Sequence, residues 1–146
     1  MKLADAAEIG ILFDASDPDK VSLVNNFADS LKKQKIRIVM LGFYDTPKRA
    51  INFNFAYFNR KDVNWFLEPR GDTVRDFISK KFDVLINAYL EESLPLEYVS
   101  ALSKSSFRIG MYDAEKTYAY DFMVDVKKER DLKHLLDQYK HYLEMM

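Results

Sequence analysis

Polar residues stand just after several short apolar runs, at the places where strands of a sheet would end. Asp14 follows the run at 9–13 directly, and Asp45 comes shortly after a second run. In an open parallel sheet, ligands bind beyond the carboxyl ends of the strands, near the point where strand order reverses. We therefore predict a small-molecule site formed by the polar residues at these strand ends. They are Asp14, Ser16, Asp17, Asp45, Asn87 and Asp113.

The carboxylates after the first run also have a structural explanation. Asp17 can cap a helix, Pro18 suits the first helical position, and Asp19 lies favourably at the positive end of the helix dipole. A catalytic pair of Asp14 and Asp17 is the alternative to this role. Because no nucleophile, base and charge-stabilising group occur together in a recognisable motif, we assign no catalytic residue.

The motifs that usually bind nucleotides, metals or covalent intermediates are missing. No Gly-x-Gly-x-x-Gly follows the first run, and no Gly-x-x-x-x-Gly-Lys precedes a helix. There is no cysteine and no Gly-x-Ser-x-Gly turn, and no third ligand stands beside His134 and His141. A phosphorylated receiver domain would need an aspartate where Asn59-Arg60 stands. The sequence thus predicts no metal and no cofactor.

Aromatic side chains are concentrated between residues 53 and 66, and two interpretations compete. The rings could fill the core between a sheet and its helices, as aromatic residues commonly do. Alternatively, they could form a partly exposed surface in which Phe58, Arg60 and Trp65, the only tryptophan, contact a partner. The second interpretation predicts a homodimer or a protein partner at this segment.

Apolar spacing predicts strands that alternate with helices. The runs at 9–13, 36–43, 84–89, 108–112 and 120–126 are short and mostly apolar, which is typical of strands covered on both faces. Aromatic residues alternate with other residues over 51–58, which favours one further strand. Apolar residues at helical spacing follow Asp17, Asp72 and Ser93, and Asp72 is a possible helix cap. After Ser93 the recurring residues are Leu94, Tyr98 and Leu102, four positions apart.

The final helix has the clearest pattern, and its apolar stripe consists of Leu132, Leu135, Leu136, Tyr139, Leu143 and Met146. Taken together, the pattern predicts one Rossmann-like, doubly wound α/β domain over residues 1–146. We expect a mostly parallel sheet of five to six strands with helices on both faces. The preferred strand order is 3-2-1-4-5 with the last strand at an edge. Val39, Leu41, Leu85 and Ile86 are expected in its central strands.

Charge and hydropathy exclude some classes of partner. Lys and Arg number 22 against 23 Asp and Glu, so the net charge of −1 provides no field to attract a phosphate backbone. No run approaches the roughly 18 uninterrupted apolar residues of a membrane span, and the first residues do not form a secretory signal. We therefore predict a cytoplasmic protein that binds neither nucleic acid nor membrane.

Two resemblances add to this interpretation. A family of small bacterial α/β proteins without assigned activity resembles the chain in the segments IGILFD (9–14), LGF (41–43), NWF (64–66), FDVLIN (82–87), ALSK (101–104) and MVDVKK (123–128). Residues 82–110 are similar to the amino-terminal domain of heptosyltransferase-like glycosyltransferases. Because those enzymes bind their nucleotide sugar mainly in a second domain, this similarity implies a relic or a binding module rather than an active transferase.

The resulting functional hypothesis is a non-catalytic binding or accessory module with a possible small-molecule ligand. The alternative is a small-molecule or nucleotide-sugar enzyme, related to glycosyltransferase-like folds, that uses Asp14 and its neighbours at the strand ends.

Overall fold

The computed structural model describes residues 6, 8–45, 53–63, 70–126 and 129–145. These residues contain six strands and four α-helices. The strands are β1 (Glu8–Asp14), β2 (Arg37–Tyr44), β3 (Ala56–Asn59), β4 (Val84–Ala88), β5 (Arg108–Met111) and β6 (Phe122–Val124). The helices are α1 (Pro18–Lys32), α2 (Asp72–Ser79), α3 (Leu94–Leu102) and α4 (Leu132–Met145).

All six strands are parallel and lie in the order β3-β2-β1-β4-β5-β6. β1 is therefore central. It pairs with β2 from Glu8↔Arg37 to Asp14↔Phe43, and with β4 from Ile9↔Val84 to Phe13↔Ala88. The predicted doubly wound sheet, with 3-2-1-4-5 order and the last strand at an edge, is confirmed. Strand order reverses between β1 and β4, which is where such sheets bind ligands.

Helices cover both faces of the sheet, and the alternation of side chains along β1 supplies both cores. Ile11 and Phe13 point into the cluster beneath α1 and α4, whereas Leu12 points into the cluster beneath α2 and α3. The predicted central residues Leu41, Leu85 and Ile86 are fully buried. Val39 packs against the second cluster but is only partly buried.

Local signals explain how two of the helices begin. Asp17 caps α1 as predicted, since its side chain accepts a hydrogen bond of 2.9 Å from the backbone N of Asp19. For α2 the prediction of an Asp72 cap is wrong. Gly71 takes the capping position with φ of 105°, a conformation that glycine tolerates best, and Asp72 is the first helical residue.

The strand predicted over 51–58 is shorter than expected. Its ladder with β2 begins only at Leu41↔Ala56, and Phe53 and Phe55 precede it. Those two rings stack on each other with centroids 4.6 Å apart, and Phe55 meets Phe13 edge to face at 4.8 Å. The alternation therefore reflects ring packing over the end of the sheet as much as strand pairing.

The spacing that indicated α3 does not mark its buried face. Leu94 and Leu102 are 36% and 57% exposed, and Tyr98 is partly exposed. The face that packs on the sheet consists instead of Pro95, Leu96, Glu97, Val99 and Ser100. The helix thus buries its one charged residue and exposes two leucines.

Candidate functional site

A cleft of about 660 Å³ opens at the carboxyl edge of the sheet, between the ends of β1 to β3 and the start of α3. Its polar lining, among the described residues, is Asp14, Asp45, Arg60, Glu91, Glu92 and Ser93. Its apolar lining is Phe43, Val63, Tyr89, Leu94 and Pro95. A cleft of this size accommodates a small organic molecule.

The loops after β1 and β2 are tied together at the floor of this cleft. The backbone N of Ala15 donates to the carbonyl of Phe43 at 2.9 Å, and the backbone N of Asp45 donates to Oγ of Ser16 at 2.7 Å. Asp14 closes a tight turn by accepting from the backbone N of Ser16 at 2.9 Å. The position of the Asp14 carboxylate is therefore fixed by its own loop.

Arg60 enters the cleft from the short helical turn Arg60–Asp62 that follows β3. Asn59 and Asp62 hold this turn in a capping box. Nε of Arg60 donates to Oδ1 of Asp45, and this hydrogen bond raises the pKa of Arg60. The single guanidinium among the described lining residues is thus already paired with a carboxylate.

The loop between β4 and α3 contributes two further carboxylates. Lys20 on α1 donates to Oε2 of Glu91 at 3.0 Å, and Lys116 donates to Oε1 of Glu92 at 2.9 Å. The hydrogen bond from Lys20 lowers the pKa of Glu91. The sequence prediction did not include either glutamate, although both follow the end of a strand and the same rule would have selected them.

A buried ion pair lies behind this loop. Glu97 is 1% exposed, and its carboxylate accepts from Lys116 at 2.7 Å, from the hydroxyl of Tyr118 at 2.9 Å and from the backbone N of Ser93 at 3.1 Å. Burial alone would lower the pKa of Lys116, but the hydrogen bonds to Glu97 and Glu92 outweigh it and raise the pKa. Burial, together with the hydrogen bond to Glu97, raises the pKa of Tyr118 to about 12.

Asn87, which the sequence predicted as a ligand-binding residue, lies inside the protein and does not line the cleft. It is 0% exposed, and its Nδ2 donates to Oγ of Ser100 at 3.1 Å and to the carbonyl of Ile109 at 3.0 Å. Its Oδ1 accepts from the hydroxyl of Tyr89 at 2.9 Å, and that hydroxyl lies 2.9 Å from the hydroxyl of Tyr120. Both amide hydrogens and the amide oxygen of Asn87 therefore have partners inside the protein.

Gly110 on β5 makes room for Tyr120 in this network. A Cβ at Gly110 would lie 2.5 Å from Cγ of the Tyr120 ring, so the ring sits directly on the glycine. Burial raises the pKa of Tyr120, and it raises the pKa of Tyr89 well above the usual value. Both hydroxyls therefore stay protonated at neutral pH.

The other predicted ligand-binding residues are divided among different places. Asp14 and Asp45 line the cleft, whereas Ser16 joins two loops and Asp17 caps α1. Asp113 lies in a second depression of about 240 Å³ beyond β4 and β5, together with Lys116 and Arg130. Of the six residues that the sequence rule selected, Asp14 and Asp45 therefore line the cleft and the other four do not.

The residues proposed for a partner are also separated. Phe58 is 1% exposed and packs against Phe43, so its ring belongs to the core and has no surface to offer a partner. Arg60 faces the cleft, and Trp65 lies outside the described residues. Association through Trp65 stays a prediction, which sedimentation of the wild type and a Trp65→Ala variant at several concentrations would test.

The described part of the chain contains neither a membrane span nor a metal-binding cluster. Its helices do not have the length and apolar character of a membrane span. Within the same ranges, no group of three or more histidine, aspartate or glutamate side chains is placed to hold a metal ion. Nδ1 of His134 lies 3.5 Å from Oε2 of Glu129, and the ring of His141 packs against the ring of Tyr142.

Sheet order and cleft position together define a Rossmann-like α/β protein with a ligand-sized cleft at its switch point. The chain belongs to DUF6913, a family of unknown function, whose family model matches residues 2–146. The search of curated proteins and the search of solved structures each gave no match. The similarity to heptosyltransferase-like enzymes finds no support in these comparisons.

Proposed function

We propose that the chain is a non-catalytic binding or accessory module that holds a small organic molecule in the cleft lined by Asp14 and the β4–α3 loop. The observation that carries this proposal is the cleft itself. Its volume of about 660 Å³ falls in the usual range for small-molecule sites, and it lies at the switch point between β1 and β4.

The chemistry of the lining favours binding over turnover. Among the described lining residues there is no histidine, cysteine or lysine. The hydroxyl of Tyr89 is held protonated by burial and is engaged with Asn87, so it is a poor base and a poor nucleophile. Among the described lining residues, an enzyme would have carboxylates, the guanidinium of Arg60 and the hydroxyl of Ser93 to use, with Asp14 as the first candidate.

A thermal-shift screen tests the proposal, with a library of amines, polyols, nucleotides, sugar nucleotides and flavins. We expect at least one compound to raise the melting temperature without being consumed. Asp14→Ala should abolish that shift. Asp29→Ala, an exposed carboxylate at the far end of α1, should leave it unchanged and serves as the matched control.

The enzyme alternative makes the opposite prediction in the same experiment. A nucleotide or sugar nucleotide would shift the melting temperature, and chromatography of the incubated mixture would show its conversion. Stabilisation without conversion supports the binding module, and the complete absence of any Asp14-dependent shift would contradict both.

A further inference from the structure

We propose that the ligand of this cleft is an organic cation, an ammonium or guanidinium group joined to an apolar group. The inference rests on the proposed function and narrows it to one class of ligand. It follows from the charge of the lining, the acceptors left over by the ion pairs, the apolar wall and a buried hydroxyl without a partner.

The charge of the lining favours a cation. Four carboxylates and one guanidinium line the cleft among the described residues. Lys20 and Lys116 reach Glu91 and Glu92 from the neighbouring depressions and do not line the cleft themselves. Negative charge on a concave surface raises the local concentration of cations and repels phosphates and carboxylates.

The ion pairs leave acceptor capacity on these carboxylates. Asp45 uses Oδ1 for Arg60, Glu91 uses Oε2 for Lys20, and Glu92 uses Oε1 for Lys116. Asp14 uses Oδ1 for the backbone N of Ser16. Since a carboxylate offers about four lone-pair sites, each of these groups can accept further hydrogen bonds from a ligand. Charge-assisted hydrogen bonds from a cation are the strongest that such acceptors form.

The start of α3 does not reverse this preference. A helix start usually attracts anions because its first backbone amides point outward. Here the buried carboxylate of Glu97 already accepts from the backbone N of Ser93, so a negative charge occupies that position. An anionic ligand would therefore meet Glu97 behind the helix start and four carboxylates in the lining, against the one guanidinium of Arg60.

The side chain of Ser93 gives an independent indication that a ligand binds in the cleft. Within the described part of the chain, Oγ of this lining residue is buried and has no hydrogen-bond partner. A buried hydroxyl without a partner destabilises a protein, and native proteins rarely retain one without a reason. A hydrogen-bonding group of a ligand beside Ser93 would supply the missing partner.

The apolar part of the cleft wall indicates that the ligand also has an apolar group. The apolar side chains of the wall are Phe43, Val63, Leu94 and Pro95. Leu94 is 36% exposed where it lines the cleft. An apolar group against this wall would remove the exposed surface from water. A small hydrated metal ion lacks such a group, so an organic cation fits the lining better.

Three probes that share a phenylethyl group and differ in the group at its end test the inference. They are 2-phenylethylamine, 2-phenylethanol and 3-phenylpropionate, each titrated by calorimetry and by thermal shift. We expect the amine to bind, the alcohol to bind about tenfold more weakly and the propionate not to bind. The difference in free energy between a charge-assisted and a neutral hydrogen bond corresponds to about tenfold in affinity. Affinity for the amine should fall as salt is raised from 0.05 to 0.5 M.

Isosteric variants locate the site. Asp14→Asn and Glu91→Gln should each weaken binding of the amine about tenfold, while Asp29→Asn should not change it. If the alcohol or the propionate binds as tightly as the amine and Asp14→Asn still weakens it, the cleft binds a ligand but the cation inference is wrong. If the amine does not bind, the inference is also wrong, and the wider screen decides separately whether the cleft binds anything.

Discussion

Ile86 is a core residue at which the loss of a side chain should destabilise the fold strongly. It lies in β4 beside the central strand and is 0% exposed. Replacement by alanine should lower the free energy of unfolding by about 2 to 5 kcal/mol, because it removes buried methyl groups and leaves a cavity. Urea unfolding measures the loss. Met145→Ala, at a position that is 68% exposed, should stay within about 0.5 kcal/mol. An equally small loss for Ile86→Ala would show that β4 is peripheral.

Gly110 should tolerate no side chain. Gly110→Ala would push a methyl group into the Tyr120 ring, and we expect a loss of about 1 to 3 kcal/mol from overpacking. Because ring and methyl group compete for one space, the effects of Gly110→Ala and Tyr120→Ala should be less than additive in the double variant. Fully additive losses in urea unfolding would contradict the close approach of ring and glycine.

At the scale of single residues, the sequence pattern predicted only part of the candidate site. Asp14 and Asp45 could be predicted because a polar residue after an apolar run marks the carboxyl end of a strand. Asn87 satisfied the same rule but is buried. Its partners Ser100 and Ile109 lie 13 and 22 positions further along the chain, and only the packing of α3 and β5 brings them together. Nothing in the local sequence distinguishes these outcomes.

At the scale of elements, α3 provides an internal comparison of two leucines. Leu96 is 0% exposed, whereas Leu102 is 57% exposed on the same helix. Leu96→Ala should cost about 2 to 5 kcal/mol, and Leu102→Ala should fall within about 0.5 kcal/mol. Helix propensity changes equally in the two variants, so the difference reports burial alone. Equal losses would mean that the outer face of α3 is covered in solution.

Strands and helices were predicted with different success for a physical reason. Parallel strands are buried on both faces, so nearly continuous apolar runs identified β1, β2 and β4 and their central place. The spacing of Leu94, Tyr98 and Leu102 predicted α3 as a helix, but these residues do not form its buried face. The helix presents apolar residues on two sides and buries Glu97 against Lys116. An apolar stripe identifies a core face only when the opposite side is polar.

At the scale of the whole molecule, stability should fall steeply at alkaline pH. Burial raises the pKa of Tyr89 and Tyr139, and hydrogen bonds to Glu97 and Glu92 raise that of Lys116 against the effect of burial. The folded protein therefore keeps protons that the unfolded chain loses above about pH 10. Stability from these groups is fully present below that pH. Above it, each buried tyrosine should contribute a loss of up to about 1.4 kcal/mol per pH unit.

Urea unfolding at pH 7, 9, 10.5 and 11 would measure this loss, with the absorbance of ionised tyrosine recorded in parallel. Tyr89→Phe removes one of the groups and should make the alkaline decline shallower, after allowance for its own loss at pH 7. A free energy of unfolding that stays constant to pH 11 would show that these hydroxyls are not protected in the folded state.

The central place of β1 also has a consequence for biosynthesis. β1 is translated before every other strand, yet its second neighbour, β4, begins about 70 residues after β1 ends. At roughly 5 to 20 residues per second, the ribosome needs about 4 to 14 seconds to synthesise that stretch. During this interval one edge of an apolar strand has no partner in the nascent chain. A chaperone that covers extended apolar segments would have its binding site there, and release would coincide with the emergence of Val84–Ala88.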